Sequence, residues 1–211
     1  MLPTKLLWSG FPLSVMNAGL VIVSESSWLV HAMALPLPEL PAAATPRLRP
    51  WGERDVAVLL AAGHDPVISR YRYSLPSTPE AAHEWIVSTE TDRDHGTRLE
   101  LAIKDTATPV GSISLTDLEH GNAMVRYWLL PEGRGRGLAT TALRLLARWG
   151  FATLALGRLA AFVELDNTAS RAVLERAGFL CEGRLRQHMT DHAGNRVDTF
   201  LYSLLPADLD D

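Results

Sequence analysis

The segment that most restricts this chain is Pro131-Glu132-Gly133-Arg134-Gly135-Arg136-Gly137-Leu138-Ala139-Thr140, which separates an apolar run ending at Leu130 from an amphipathic run that follows. A strand that ends in alternating glycines and restarts as a helix can turn tightly and bring several backbone N–H groups toward one point. The helix N-terminus adds its unsatisfied donors and its positive dipole end. Such a point suits an anion, a diphosphate above all. Arg134 and Arg136 either add charge-assisted hydrogen bonds to phosphate oxygens or lie solvated on the surface. Two familiar phosphate loops do not fit. No Gly-Lys is followed by Ser or Thr, and no Asp or Glu stands about twenty residues downstream, the first being Glu164. A sharp glycine-rich connection is the plain alternative.

The surrounding pattern predicts a mixed α/β chain without internal repeats. A short strand over residues 47–49 precedes a helix with Val56, Leu59 and Leu60 on one side, which Gly63 ends. His64-Asp65-Pro66 and Ser74-Leu75-Pro76-Ser77 bracket a loop, and Thr78-Pro79-Glu80 opens a second helix carrying Ala82, Trp85 and Ile86 on one side. This pair of helices is placed to flank an acceptor. Leu99, Leu101 and Ile103 alternate as a strand, residues 105–109 turn, residues 110–115 answer as a hairpin partner, and 124–130 form the next strand. Beyond the glycine loop, Leu138, Ala142, Leu145, Trp149, Ala152 and Leu156 make an apolar stripe along a helix, in which Gly150 marks close packing or a kink. A strand over 159–165, a helix over 167–177 and strands near 185–189 and 197–205 complete the order.

With 47% hydrophobic residues among 211, the chain can bury one sizeable core, so one domain with an appendage is expected. The net charge of -4 is small and its signs are interspersed, which argues against the broad basic face of a nucleic-acid binder. Cys181 stands alone, so it forms no intramolecular disulfide, and no Cys/His cluster has zinc spacing. A reducing, cytoplasmic setting without a structural metal fits, with Cys181 as a small apolar filler. Lys5-Leu6-Leu7-Trp8 and Gly19-Leu20-Val21-Ile22-Val23 outline a weak signal-peptide pattern that Pro12, Asn17 and Gly19 interrupt. The run is too short and broken to span a bilayer. Met16 and Met33 are alternative starts. Pro36, Pro38, Pro41 and Pro46, interleaved with Ala42-Ala43-Ala44, read as a stiff linker. The chain thus divides into an extension or linker over residues 1–45, a folded domain over 46–206 and a tail over 207–211.

Arg134-Gly135-Arg136-Gly137-Leu138-Ala139 resembles the Arg/Gln-x-x-Gly-x-Gly/Ala pattern of the GNAT acetyltransferases. Tyr127-Trp128-Leu129-Leu130-Pro131, Asn167-Thr168-Ala169-Ser170, Ala177-Gly178-Phe179, Glu182-Gly183 and residues 194–198 are similar in order and spacing to the Rim-type members, which acetylate protein N-termini. The resemblance covers residues 47–205. It implies a GNAT fold: a mixed, twisted sheet of about seven strands flanked by helices, whose fourth and fifth strands splay apart to admit the pantetheine arm of acetyl-CoA. It also implies that Arg134, Gly135, Arg136, Gly137, Leu138, Ala139 and Thr140 cradle the diphosphate, and that backbone groups of Trp128, Leu129 and Leu130 pair with the arm. Asn167 and Ser170 would contact the cofactor beside the thiol. Without the resemblance, Asn167 reads as a helix cap and the Ser170 hydroxyl as bonded to its own backbone.

Acetyl transfer to an amine requires a neutral amine, a polarised thioester carbonyl and a protonated or stabilised thiolate. An α-amine has a reference pKa of about 7.7–8.0 against about 10.4 for lysine, so a peptide N-terminus needs only modest help to lose its proton. The family's polarising donor is a strand-four backbone N–H, near Leu129. This chain departs from the family at three positions. Met124 stands where many relatives have glutamate, Leu174 where others have tyrosine, and Met189 near where some Rim-type members have an acid. Glu164 is the candidate base and Ser170 the candidate group at the thiol, with Tyr127 and His188 as weaker proton carriers. The reading is an acetyl-CoA-dependent N-acetyltransferase acting on a protein or peptide α-amine, and the family's habit suggests a homodimer. One alternative is acetylation of a small amine such as an aminoglycoside, a polyamine or an amino-acid analogue, with Glu80, Glu84 and Glu90 as a source of acidity. The other is a non-catalytic acyl-CoA-binding module, which the three missing acid/base groups keep open.

Overall fold

The computed structural model describes residues 34–39, 45–71, 75–105 and 107–209, all within one compact unit. The expected signal-like run, and linker residues 40–44, lie outside the described residues.

Strand β1 (Arg47–Pro50) is followed by a short 3-10 turn and then helices α1 (Val56–His64), α2 (Pro66–Arg70) and α3 (Pro79–Asp94). Strands β2 (Leu99–Lys104), β3 (Pro109–Glu119) and β4 (Asn122–Leu129) lead to the glycine loop and α4 (Leu138–Thr153). Then come β5 (Arg158–Glu164), α5 (Thr168–Ala177), β6 (Leu180–Thr190) and β7 (Arg196–Leu204). The strands form one seven-stranded sheet in the order β1-β2-β3-β4-β5-β7-β6. All neighbours are antiparallel except β4 and β5, which run parallel. This is the mixed sheet that the resemblance implies.

Local chemistry sets the helix starts. Thr78 Oγ1 accepts from Ala81 N (3.2 Å) with Pro79 at the first helical position, and Asn167 Oδ1 accepts from Ser170 N (3.0 Å). Helix α2 corrects the expected loop between His64 and Ser77. Asp65 Oδ1 accepts from Val67 N and Ile68 N (both 2.9 Å) and Pro66 supplies a preset φ, so this stretch begins as a helix. Gly63 lies within α1 instead of ending it; a Cβ there would meet the Pro76 carbonyl oxygen at 2.3 Å.

The sheet separates two cores. On one face, Leu101, Ile113, Val125 and Leu159 pack against Leu143 and Leu146 of α4 and Leu174 of α5. On the other, α1 and α3 cover Trp128, with Trp51 stacked on it at 5.8 Å and Trp85 meeting Trp51 edge-on at 5.8 Å. The buried side of α4 is Leu138, Ala139, Ala142, Leu143, Leu146, Ala147 and Gly150, so the expected stripe holds at Leu138 and Ala142 and is out of phase beyond them. Leu145 and Trp149 are half-buried at its margin, Ala152 is exposed, and Leu156 lies beyond the helix end. Both phases satisfy a helical period, and small alanines carry the true contact where α4 approaches the sheet. Gly150 marks close packing: a Cβ there would stand 3.2 Å from Leu156 Cδ1. Cys181 is exposed at the start of β6 and is not a core filler.

Candidate active site

Strands β4 and β5 pair only over Asn122–Arg158, Ala123–Leu159 and Met124–Ala160. Residues 125–129 and 161–164 continue without mutual pairing, so the sheet opens into a wedge. Leu130 N–H donates to the Val110 carbonyl of β3 (2.9 Å). Alternation along the strand then turns the backbone N–H groups of Tyr127 and Leu129 the other way, into the wedge. Leu129 therefore directs its N–H into the wedge. Trp128 and Leu130 direct their backbone groups at β3 and bury their side chains beneath α1 and α3.

The glycine loop follows β4 at the open end of the wedge. Gly135 and Gly137 have φ of +70° and +74°, and a Cβ at either would meet nothing within 4 Å. Backbone conformation, not crowding, asks for glycine there, and the loop faces open space. No side chain caps α4, in contrast to α3 and α5. Its first intrahelical donor is Thr141 N, to Gly137 O at 3.0 Å, so the N–H groups of Leu138, Ala139 and Thr140 point out of the helix end. A diphosphate fits this arrangement through backbone donors.

The two arginines are engaged elsewhere. Arg134 Nη2 binds Asp65 Oδ1 (2.9 Å) and its Nε donates to the Leu129 carbonyl (2.9 Å), which ties the loop to β4 and to the cap of α2. Burial pushes the Asp65 carboxyl up, but the Ile68 N–H, the Arg134 guanidinium and the Val67 N–H outweigh it and hold it below the usual carboxylate range. Arg136 Nη2 pairs with Asp105 Oδ2 (2.5 Å). Arg134 acts as a strut, a role that no local pattern shows because its partner is 69 residues away.

Across the wedge, Asn167 caps α5 by accepting from Ser170 N. The Ser170 hydroxyl meets Tyr127 Oη at 2.7 Å, and Tyr127 Oη also donates to the Ser170 carbonyl (3.1 Å). The serine thus finds a tyrosine of β4 instead of its own backbone. Tyr127, weighed above only as a weak candidate, joins Asn167 and Ser170 in one cluster.

Glu164, at the end of β5, lines a cleft of about 290 Å³ with Asp166, Asp191, Asp198, Arg70 and Arg184. Arg70 at the end of α2 pairs with Asp166, Arg184 Nε binds Asp198 (2.6 Å), and Asp191 accepts the N–H groups of Ala193 (2.9 Å) and Asn195 (2.8 Å). Among the described residues, Glu164 is the one carboxylate of the four with neither an ion pair nor a hydrogen bond. Burial first, then the charge of Asp166, raises its pKa above the ordinary value, and Arg70 offsets this only in part. Glu80, Glu84 and Glu90 are exposed on α3 and do not line this cleft. His188 packs its ring against Phe162 (4.2 Å) with Nδ1 on Thr199 Oγ1 (3.0 Å). Leu174 is fully buried, while Met124 and Met189 are half-buried, and none of the three can move a proton. Among the described residues, no helix is long and apolar enough to cross a membrane, and no group of three His, Cys, Asp or Glu could hold a metal ion.

The acetyltransferase (GNAT) domain profile matches residues 47–180. The Uncharacterized N-acetyltransferase YoaA of Bacillus subtilis is 30% identical over 165 residues, covering 75% of this chain and 92% of YoaA. Spermidine N(1)-acetyltransferase of Escherichia coli is 24% identical over 148 residues, 69% of this chain and 78% of its own. Among solved structures, Mycobacterium smegmatis RimJ in complex with CoA-disulfide superimposes with a TM-score of 0.72 at 24% identity, covering 88% of this chain and 91% of that one.

Proposed function

The chain belongs to the GNAT acetyltransferase family and is an acetyl-CoA-dependent acetyltransferase; from that premise we propose that its acceptor is the α-amine of a protein or peptide N-terminus, as in the Rim-type branch. The observation that carries this reading is the wedge between β4 and β5, with the backbone donors of the loop beyond β4 and Glu164 at the end of β5. Acetyl-CoA supplies an activated acyl group. In this proposal the N–H groups of Leu138, Ala139 and Thr140, with the Gly135 and Gly137 backbone, hold its diphosphate. The Leu129 N–H polarises the thioester carbonyl, and Asn167 fixes the helix that brings Ser170 to the sulfur. Arg134 and Arg136 shape the loop through Asp65 and Asp105. Glu164 takes the proton of the attacking amine, directly or through one water, and its cleft receives the chain that follows that amine. The catalytic domain runs over residues 46–206, with 1–45 as an extension and 207–211 as a tail.

A second reading, acetylation of a polyamine, has the four carboxylates of the cleft and the similarity to the spermidine enzyme in its favour. Three of those carboxylates are already neutralised or hydrogen-bonded, which leaves Glu164 to attract one amine, not a row of them. Thiol release from acetyl-CoA, measured against N-terminal peptides, spermidine and aminoglycosides, separates the readings. Turnover on peptides supports the first; preference for spermidine replaces it with the second; tight cofactor binding without turnover on any amine would leave a binding module.

The pH profile isolates the base. Glu164 works as the carboxylate and its pKa is raised, so activity is lost as pH falls through a value above the usual carboxylate range. Glu164→Gln should lower kcat by about 100-fold and leave an acid limb that belongs to the acceptor amine alone. An unchanged acid side with kcat within twofold of wild type would remove Glu164 from the mechanism.

A further inference from the structure

We infer that Tyr127 completes a proton relay with Ser170 that protonates the departing thiolate, an inference that rests on the placement of Ser170 at the sulfur proposed above. An aliphatic hydroxyl is a poor acid, so Ser170 alone cannot readily release a proton to a leaving thiolate. A phenol is far more acidic, and the one beside Ser170 comes from β4: Tyr127 Oη lies 2.7 Å from Ser170 Oγ. Tyr127 sits three residues beyond the last β4–β5 pair, on the β4 edge of the wedge, and its hydroxyl reaches across to the first turn of α5. The phenol has one proton and two neighbouring acceptors, the Ser170 carbonyl at 3.1 Å and Ser170 Oγ at 2.7 Å, and the relay uses the shorter contact. When Tyr127 donates to Ser170 Oγ, the serine's own proton is released from that contact and turns to the opening. Asn167 holds the Ser170 backbone N–H at 3.0 Å, so the serine cannot drift from the phenol without uncapping α5. One turn further along, Leu174 offers no hydroxyl.

The proton ledger closes. The amine nitrogen forms a bond to the acyl carbon and the C–S bond breaks, its electron pair going to sulfur. Ser170 gives its hydroxyl proton to that sulfur, Tyr127 gives its phenolic proton to Ser170 Oγ, and solvent reprotonates Tyr127 after the thiol leaves. The proton lost by the amine leaves through Glu164. Tyr127 acts through Ser170 and is a positioning residue with a proton to lend.

The test compares wild type with Tyr127→Phe, Ser170→Ala and the double variant, using acetyl-CoA and an acceptor that wild type turns over. Tyr127→Phe should lower kcat at least tenfold, with the CoA Kd from calorimetry changed less than threefold. The alkaline limb of the wild-type kcat profile, where the phenol loses its proton, should vanish. Because the two hydroxyls act in series, the double variant should lose no more than Ser170→Ala alone. Independently of turnover, the thiolate absorbance of bound CoA should titrate at higher pH in Tyr127→Phe, by about half a unit, since the relay that stabilises the thiolate is weakened. A kcat within twofold of wild type, an intact alkaline limb, or kcat and CoA affinity falling together would overturn the relay. Wild-type CoA binding without turnover on any amine would instead bring down the proposed reaction, and the relay with it.

Discussion

Gly137→Asp abolishes useful acetyl-CoA binding while leaving the fold intact, with an expected loss of at least 100-fold in affinity, or about 2.7 kcal/mol. Gly137 has φ +74° and caps α4, and its missing Cβ would meet nothing within 4 Å. Asp and Asn are the side chains that best tolerate this left-handed conformation, so neither replacement should disrupt the loop. An aspartate there puts a negative charge at the α4 N-terminus, where no side chain caps the native helix. That carboxylate repels an incoming diphosphate. The left-handed backbone costs the folded protein about 1 kcal/mol, so the free protein should melt slightly lower than wild type while the ligand is excluded. Gly137→Asn has nearly the same shape without the charge, and should stay within about fivefold of wild type. Calorimetric titration of acetyl-CoA into both variants reads the difference. Equal affinities for Asp and Asn would mean that the diphosphate does not lie at this helix end.

The second large effect falls on stability. A Cβ at Gly111 of β3 would lie 2.3 Å from the Trp128 carbonyl oxygen and 2.5 Å from Leu129 Cδ2. The first of these is backbone and cannot rotate away, so β3 and β4 must separate where β4 begins to line the wedge. Gly111→Ala should cost about 3 kcal/mol in denaturant unfolding, at the upper end of ordinary overpacking, and should also weaken turnover by displacing the Leu129 N–H. Gly183→Ala on β6 is the matched control. A Cβ at Gly183 meets nothing within 4 Å, so a change below about 0.5 kcal/mol is expected. If Gly111→Ala unfolds like the control, the close approach of β3 and β4 is not what this glycine provides.

These two glycines also mark how far the sequence could be read. Gly137 belongs to a local pattern, a loop between a strand and a helix, and both its conformation and its place follow from neighbours in the chain. The same holds for Thr78-Pro79 and Asn167, whose capping bonds span three residues. Gly111 carries no such mark, because its role depends on a strand seventeen residues later in the chain. Helix α2 has a local signal, Asp65 before Pro66, but the same dipeptide opens helices as readily as loops. The phase of α4 was lost because Leu145 and Trp149 outweigh the alanines that touch the sheet. The pairings of Arg134 with Asp65, Arg70 with Asp166 and Tyr127 with Ser170 join distant elements and emerge only once the fold is formed. The splayed strands came from the resemblance alone; no periodicity distinguishes a strand that pairs along its whole length from one that parts after three residues.

Amide hydrogen exchange with and without acetyl-CoA reports where the ligand meets the backbone. Acetyl-CoA should slow exchange at the N–H groups of residues 135–140 and at Tyr127 and Leu129 on the free edge of β4, while α3 stays unchanged. Saturable binding without protection at the loop and at that edge would contradict the account.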